Sequence, residues 1–500
     1  MTNHNSRNIV ICSDGTGNSD VKGRGTNVFK LYEAVDIQGS KGDPALIDQI
    51  AFYDDGVGTS ENTVRKILGA AFGYGFSENV RKLYRELVRV YEPGDKIFLF
   101  GFSRGAYTVR TLAGIINYCG ILDNSQFPNN HALISEIETC WNEFKGVAFG
   151  RRKFREETKY IDSSEKKAND RHVERDFISR KHGKSFPNVS IEFIGVWDTV
   201  AAVGTPFKEI TNILPYWFQD LLLGKSVLCA RHALSIDDER LTFLPELWEK
   251  DDRVEQVWFA GVHSNIGGGY PKQGMSLEAL DWMMVEAEKR GLRFTKNARI
   301  AVSELRDVNG KLYDSRAGLS LYYRWRPRDI ASLCKDRGIE KPMIHSSVLE
   351  RIAQGTDGYS PGNIPFDCEF VGQYVNNNGW ISWPPKSVLQ DAQQLIKNAG
   401  NSFSPEKASL LGDMYETVQD GKKNYRFFIW ATIATLIAPF FFPWTNTIPI
   451  SALSFVLIWL YSRKVDAKLD DKFSGFWSKH PGSSKSIRTQ LREMGVLGRP

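Results

Sequence analysis

Short apolar runs that do not alternate with polar residues constrain this chain most. Lys96-Ile97-Phe98-Leu99-Phe100 is continuously apolar after its first residue, as are Ile9-Val10-Ile11-Cys12 and the stretch from Gln256 to Val262. A half-exposed strand would alternate with period two; a strand buried on both faces need not. Between these runs lie helical patterns. From about Asn79 to Tyr91, the residues Val80, Leu83, Tyr84, Leu87, Val88 and Tyr91 share one helix face, and Pro93-Gly94 stops the pattern. Ile191–Trp197 is a further core-strand candidate, and Ala51-Phe52-Tyr53 a shorter one. Apolar strands separated by helices predict an α/β fold, a mostly parallel sheet with helices on both faces.

Two stretches interrupt that alternation. Residues 131–187 are polar, charged and helical in character, and residues 295–400 lack clear periodicity. Both read as insertions capping a catalytic domain of residues 1–400. The 500-residue length allows roughly three average domains, or one large α/β domain with insertions. The net charge of +5 is too mild to argue for nucleic acid. It also has one address: Arg151 to Lys184 holds twelve Lys/Arg against seven Asp/Glu, the whole excess.

Phe427 to Ser462 carries no charged residue over 36 positions. As a helix of about 1.5 Å per residue it would measure roughly 54 Å, against a hydrocarbon core of about 30 Å. Pro439, Pro443 and Pro449 break it in the middle. The reading is an apolar helical hairpin over 427–462, of about Phe427–Pro443 and Ile448–Tyr461, transmembrane or membrane-associated. A linker, 401–426, precedes it and a cytoplasmic tail, 463–500, follows. Lys422, Lys423 and Arg426 flank one end and Arg463, Lys464 and Lys468 the other, which assigns both ends to the cytoplasmic side. Six dispersed cysteines without a C-x-x-C pair fit a reducing compartment. The polar segment Met1–Arg7 leads straight into a strand rather than a signal-peptide core. The expected location is therefore a membrane, with the catalytic domain on its cytoplasmic side.

Gly101-Phe102-Ser103-Arg104-Gly105 matches G-x-S-x-G between a core strand and a helix opening at Ala106. That strand–turn–helix context marks a nucleophile elbow and Ser103 as the nucleophile. A serine needs a base. Of eight histidines, His4 and His480 lie towards the two ends, His131, His172 and His182 in the charged insertion, and His345 in the cap. His232 and His263 remain. His263 follows a core strand and opens the glycine-rich Ser264-Asn265-Ile266-Gly267-Gly268-Gly269, which favours it as the base. Asp198, at the end of a core strand between the two, is the preferred orienting acid, with Asp237 and Asp238 as rivals. The oxyanion hole is assigned to the backbone N–H of Arg104 and to the loop at Gly15 and Thr16, with Asp14 supporting that loop. Gly183-Lys184-Ser185 and Gly224-Lys225-Ser226 lack the P-loop glycine, Ile178 and Gln219 standing in its place. No spacing suggests zinc, and no metal or cofactor is expected.

Together these segments resemble a known family, the α/β-hydrolase domain that includes the catalytic domains of type VI secretion phospholipase effectors. The matching pieces are Ser13-Asp14-Gly15-Thr16-Gly17-Asn18, Gly101-Phe102-Ser103-Arg104-Gly105-Ala106, Gly195-Val196-Trp197-Asp198-Thr199-Val200, Arg231-His232-Ala233-Leu234-Ser235-Ile236-Asp237, and Gly261-Val262-His263-Ser264-Asn265-Ile266-Gly267-Gly268-Gly269-Tyr270. The resemblance implies a Ser–Asp–His esterase acting on phospholipids, and it supports Asp198 and His263. It does not reach the apolar hairpin. The expectation is a membrane-associated serine hydrolase, of phospholipase A type, whose partners are the bilayer and a phospholipid or other acyl ester. The alternatives are an esterase or thioesterase acting on soluble substrates, and an inactive scaffold or membrane-perturbing toxin.

Overall fold

Alternate residues of each core strand point to opposite faces, and here both faces are covered. The computed structural model describes residues 6–15, 25–56, 70–158, 183–186, 188–200, 222–316, 323–372, 374–376, 379–381, 383–478 and 484–497. Strands β1 (Asn8–Ser13), β2 (Gln49–Asp54), β3 (Lys96–Phe102), β4 (Ile191–Trp197), β5 (Ala230–Ser235), β6 (Val254–Phe259), β7 (Met343–His345) and β8 (Glu369–Val371) form one sheet. Its order is β8-β7-β6-β5-β4-β3-β1-β2, and every pairing is parallel. On one face Ile9, Ile11, Ile97 and Leu99 meet helices α2 (Ala70–Val90), α3 (Arg104–Cys119) and α4 (Asn130–Thr158). On the other, Val10, Cys12, Phe98, Phe100 and Phe102 meet α1 (Asn27–Ala34) and α6 (Gly274–Glu288), the latter following the short α5 (His263–Gly267). This is the α/β architecture expected from the runs, and the face predicted for α2 is the buried one.

The chain goes from β1 outward to β2, then returns to place β3 on the other side of β1. Crossovers therefore diverge between β1 and β3, leaving a crevice at the carboxyl ends of those strands. Register fixes what meets there. Ser13 pairs with Gly101, and Phe102 pairs with Trp197, so Ser103 and Asp198 leave adjacent strands at the same level.

The 295–400 stretch is more regular than its sequence suggests. β7 and β8 extend the main sheet, and α7 (Ser346–Gln354) packs against them. Three-residue strands are too short to show a period. The boundaries at 401 and 463 also need correction. Leu410, Leu411 and Val418 are buried, so the expected linker belongs to the cap. The expected tail is a stem and a closing helix. α8 (Tyr415–Ile437) and α9 (Trp444–Ser478) form the hairpin, and α9 continues well past Ser462. Val465, Leu469, Phe476 and Trp477 line its inward face, and Ile487 and Leu491 of α10 (Ile487–Glu493) join the cap core. Charged residues share these turns with the apolar ones, and they hid the helical face behind a flank that reads as a membrane border. Of the basic insertion, residues 159–182 lie outside the described residues.

Between the stems the hairpin is bare. Trp430, Leu436, Phe441, Phe442, Trp444, Ile450 and Leu453 are exposed, and Phe440 at the tip is 84% exposed. The two helices hold each other through Asn424 Nδ2 donating to Ile458 O at 3.2 Å and Thr435 Oγ1 to Ser451 Oγ at 2.9 Å. α9 is the described helix long and apolar enough to cross a membrane, by length and composition.

Candidate active site

The turn after β3 is tight because its glycines have no Cβ. A Cβ on Gly105 would lie 2.0 Å from Ser13 O and 2.6 Å from Asp14 O, and one on Gly101 would lie 2.5 Å from Gly105 O. Only bare backbone lets α3 start this close to β1. Ser103 sits between them at φ +58°, ψ −119°, a conformation that costs a non-glycine residue about 1–3 kcal/mol. Such strain is held by its surroundings: Ser103 N donates to Trp197 O at 3.0 Å. The helix start places the N–H groups of α3, outside its own ladder, behind the serine.

Asp198, just past β4, is fully buried, also with positive φ (+39°). His263 opens α5 just after β6. Its Nδ1 lies 2.6 Å from Asp198 Oδ2. The carboxylate fixes the proton on Nδ1 and leaves Nε2 as the acceptor. Phe102, the residue before Ser103, packs against the imidazole with ring centroids 4.6 Å apart and the planes tilted by 34°, and Phe243 meets it edge-on at 5.0 Å. Phe102 fits because a Cβ on Gly267 would lie 2.0 Å from its ring. Among the described residues no hydrogen bond joins the Ser103 hydroxyl to His263.

The rival carboxylates do other work. Asp238 Oδ2 accepts from the His263 backbone N–H at 3.2 Å and from Arg240 Nη2 at 2.6 Å. Asp237 accepts from Gly261 N at 2.6 Å and from the Tyr359 hydroxyl at 3.0 Å. Burial outweighs those bonds and pushes Asp237 up to about 6. Neither touches the imidazole. His232, the rival base, accepts from Thr199 N at Nε2 and bonds Gln256 Oε1 through Nδ1, so both nitrogens are engaged in the core.

In the β1 loop, the buried Asp14 accepts from Gly15 N at 2.6 Å, from the Tyr53 hydroxyl at 2.8 Å and from the Thr26 hydroxyl. Gly15, expected as an oxyanion donor, spends its N–H on Asp14 instead, because the carboxylate folds back on its own turn. Thr16 lies outside the described residues.

The sequence reading missed Arg328. It is 1% exposed, and its fork grips Asp198: Nη1 to Oδ1 at 2.6 Å and Nη2 to Oδ2 at 2.8 Å. It sits in a run of arginines in the cap, where nothing local tells which one turns inward. Burial would raise Asp198, but the Arg328 guanidinium and the His263 ring hold it well below the usual carboxylate range. Burial lowers His263 despite the adjacent Asp198 carboxylate.

These shifts share a sign. Burial, with Arg110 nearby, brings His232 down to about 3, whereas it would titrate near about 6.5 in the unfolded chain. Between those values the unfolded state binds more protons. Stability from this group is therefore full above about 6.5 and falls as pH falls towards 3, and the depressed Asp198 and His263 act in the same direction. Asp237 and Glu239, raised by burial to about 6 and about 7, act in the opposite sense, so the share of His232 is read against a His232→Gln variant: the melting-temperature difference between the two should move against wild type as pH falls from about 6.5 to about 4. A difference that stays constant across that window would contradict the buried neutral histidine.

Comparison with known proteins adds the following. Residues 7–286, more than half of the chain, match the family model described as "T6SS, Phospholipase effector Tle1-like, catalytic domain". An uncharacterized protein of Saccharomyces cerevisiae is 25% identical over 259 residues, covering 47% of this chain and 32% of that protein. This chain thus spans about a third of that relative's length. A crystal structure of an uncharacterized protein from Pseudomonas aeruginosa is similar at 15% identity and a TM-score of 0.37, over 84% of this chain and 67% of that one. The Tle1 effector, in a structure bound to the VgrG spike of the type 6 secretion system, is similar at 19% identity and a TM-score of 0.27, over 53% and 51%.

Proposed function

The chain belongs to the Tle1-like phospholipase effector catalytic domain family of type VI secretion, a family of lipid hydrolases, and from that premise we propose that it cleaves phospholipid acyl esters by a Ser103–His263–Asp198 triad. One observation carries the reading: the 2.6 Å contact between His263 and Asp198, directly behind the strained Ser103 turn. Ser103 Oγ attacks the acyl carbonyl while His263 Nε2 takes its proton. The acyl-enzyme forms, and the imidazolium gives the proton to the departing lysophospholipid alcohol. Water, deprotonated by the same nitrogen, then releases the fatty acid. Asp198 keeps the imidazole in the working tautomer. The Arg104 N–H is one oxyanion donor. Because Gly15 is held by Asp14, the second is assigned to Thr16.

The hairpin 427–462 holds this site against a bilayer. Both stems pack on the cap, so both charged ends lie on the side of the catalytic body, which supports placing that body and the basic flanks in the cytoplasm. An exposed apolar surface of this extent marks a membrane or partner contact. The catalytic body comprises the described residues up to Asp413, with the stems and α10 completing its cap.

Two measurements test this. Wild type, and not Ser103→Ala, should react with a fluorophosphonate probe and release fatty acid from phospholipid vesicles. Labelling with cleavage of small esters only would point to a soluble acyl substrate, and no labelling would end the hydrolase reading. Replacing Phe440, Phe441 and Phe442 together by glutamate should weaken vesicle binding about 100-fold or more, since each exposed ring forfeits about 1.5–3 kcal/mol of burial. Turnover of a short soluble ester should stay within about 2-fold, because roughly 20 helical residues, about 30 Å, separate the tip from the stems that pack on the cap. Unchanged vesicle binding would exclude the tip as the membrane contact.

A further inference from the structure

Arg328 lies outside the residues that match the family, yet its fork holds both oxygens of the acid of the site, at 2.6 and 2.8 Å. Each terminal nitrogen gives two bonds. Nη1 donates to Asp198 Oδ1 and to Ser235 O at 2.7 Å, and Nη2 donates to Asp198 Oδ2 and to Phe243 O at 2.6 Å. Ser235 N donates to Asp198 Oδ1 at 3.0 Å. The carboxylate is therefore fixed from three sides, and only the Oδ2 edge faces His263. Phe243, whose carbonyl the fork holds, is also the ring that meets the imidazole edge-on. One guanidinium thus sets both the acid and one wall of the base's pocket.

Its own position is set by backbone. Leu241 N donates to Arg324 O at 2.8 Å, Arg326 N to Glu239 O at 2.7 Å, and Asn363 Nδ2 to Arg328 O at 3.0 Å. An arginine so placed is preorganised, and a planar fork matches a carboxylate where an ammonium does not.

Charge balance gives the second argument. The buried groups facing His263 are Asp198 and Asp238, with Arg240 beside Asp238. Asp237 lies nearby and faces Arg351 as well as Arg328. His232, on the far side of Asp198, stays neutral. With Arg328 present, Asp198 and Asp238 are each matched by a guanidinium, and the imidazole has no net charge to answer. Without it, one buried carboxylate would draw a proton onto His263.

We propose that Arg328 is a positioning residue of this site, holding Asp198 ionised and in one orientation and so fixing the pH above which His263 works as a base. The proposal rests on the triad reading. Its removal should raise the basicity of His263 and move the acid limb of kcat/KM to higher pH.

The test uses the full chain in detergent and a short p-nitrophenyl ester, with kcat/KM measured across pH for wild type, Arg328→Met, Arg328→Lys and Ser103→Ala. Arg328→Met is expected to lose about 100-fold in kcat and to shift the acid limb up by about one pH unit. Arg328→Lys keeps the charge but cannot serve four acceptors. It should lose about 10-fold in kcat with the limb near the wild-type position. A methionine variant with kcat within about 3-fold and an unmoved limb would overturn the proposal. So would folded lysine and methionine variants that lose activity equally with no shift, the mark of a merely structural arginine. If the methionine variant does not fold, the lysine variant decides: wild-type kcat there also overturns it. Activity that survives Ser103→Ala would instead overturn the triad reading itself.

Discussion

Replacing Ser103 by alanine is expected to lower fatty-acid release from vesicles by about 10⁴-fold or more while leaving the protein folded. The hydroxyl makes no hydrogen bond among the described residues, so its loss should cost stability no more than about 0.5 kcal/mol. The chemistry has no substitute for it. The neighbouring side chain Phe102 is an apolar ring packed on His263, and Arg104 already belongs to the helix start. Residual activity would come from oxyanion donors and substrate positioning alone. Melting temperature and fatty-acid release, measured side by side, separate a lost nucleophile from a lost fold. A variant as stable as wild type but retaining more than about a tenth of the rate would remove Ser103 from the mechanism.

Asp198→Asn should damage both function and fold. The amide cannot enforce the Nδ1–H tautomer, so kcat should drop by about 10³–10⁴-fold near neutral pH. It also leaves the Arg328 guanidinium buried beside a neutral group. Breaking a buried pair from one side costs about 3–5 kcal/mol. The measurable signature is a double variant. Asp198→Asn with Arg328→Met should recover part of the lost stability, since no unpaired charge remains, and none of the activity. Denaturant unfolding of the two single variants and the double variant gives the coupling. Additive losses would mean that the 2.6 and 2.8 Å contacts contribute nothing to the folded state.

How much of this was legible follows from where each signal lives. Strand burial on both faces writes itself as an uninterrupted apolar run, so β1, β3 and β4 were visible, and α2 showed its buried face residue by residue. Asp198 and His263 stand at strand ends, where a motif is contiguous in sequence. Arg328 does not. Its partner lies 130 positions away, and several arginines surround it in the cap. The Gly15 N–H bonds a carboxylate one residue back, a competition that spacing does not reveal. The stem of α9 was missed because Asp466, Lys468, Asp470 and Lys472 share its turns with Val465 and Leu469.

The closure of the cap by residues beyond the hairpin has a consequence for the order in which the molecule is born. Trp477 donates to Pro361 O at 3.0 Å, and Arg488 donates to Ile352 O and Tyr359 O, each at 2.7 Å. These contacts secure the segment whose Asn363 holds Arg328. A chain leaves the ribosome from its amino end, and folding follows as segments emerge. Residues 427–462 are thus exposed to solvent, or to a bilayer, before the cap can close over Asp198. On the function proposed above, the apolar hairpin emerges before residues 487–493, which help to secure the cap around Arg328 and Asp198.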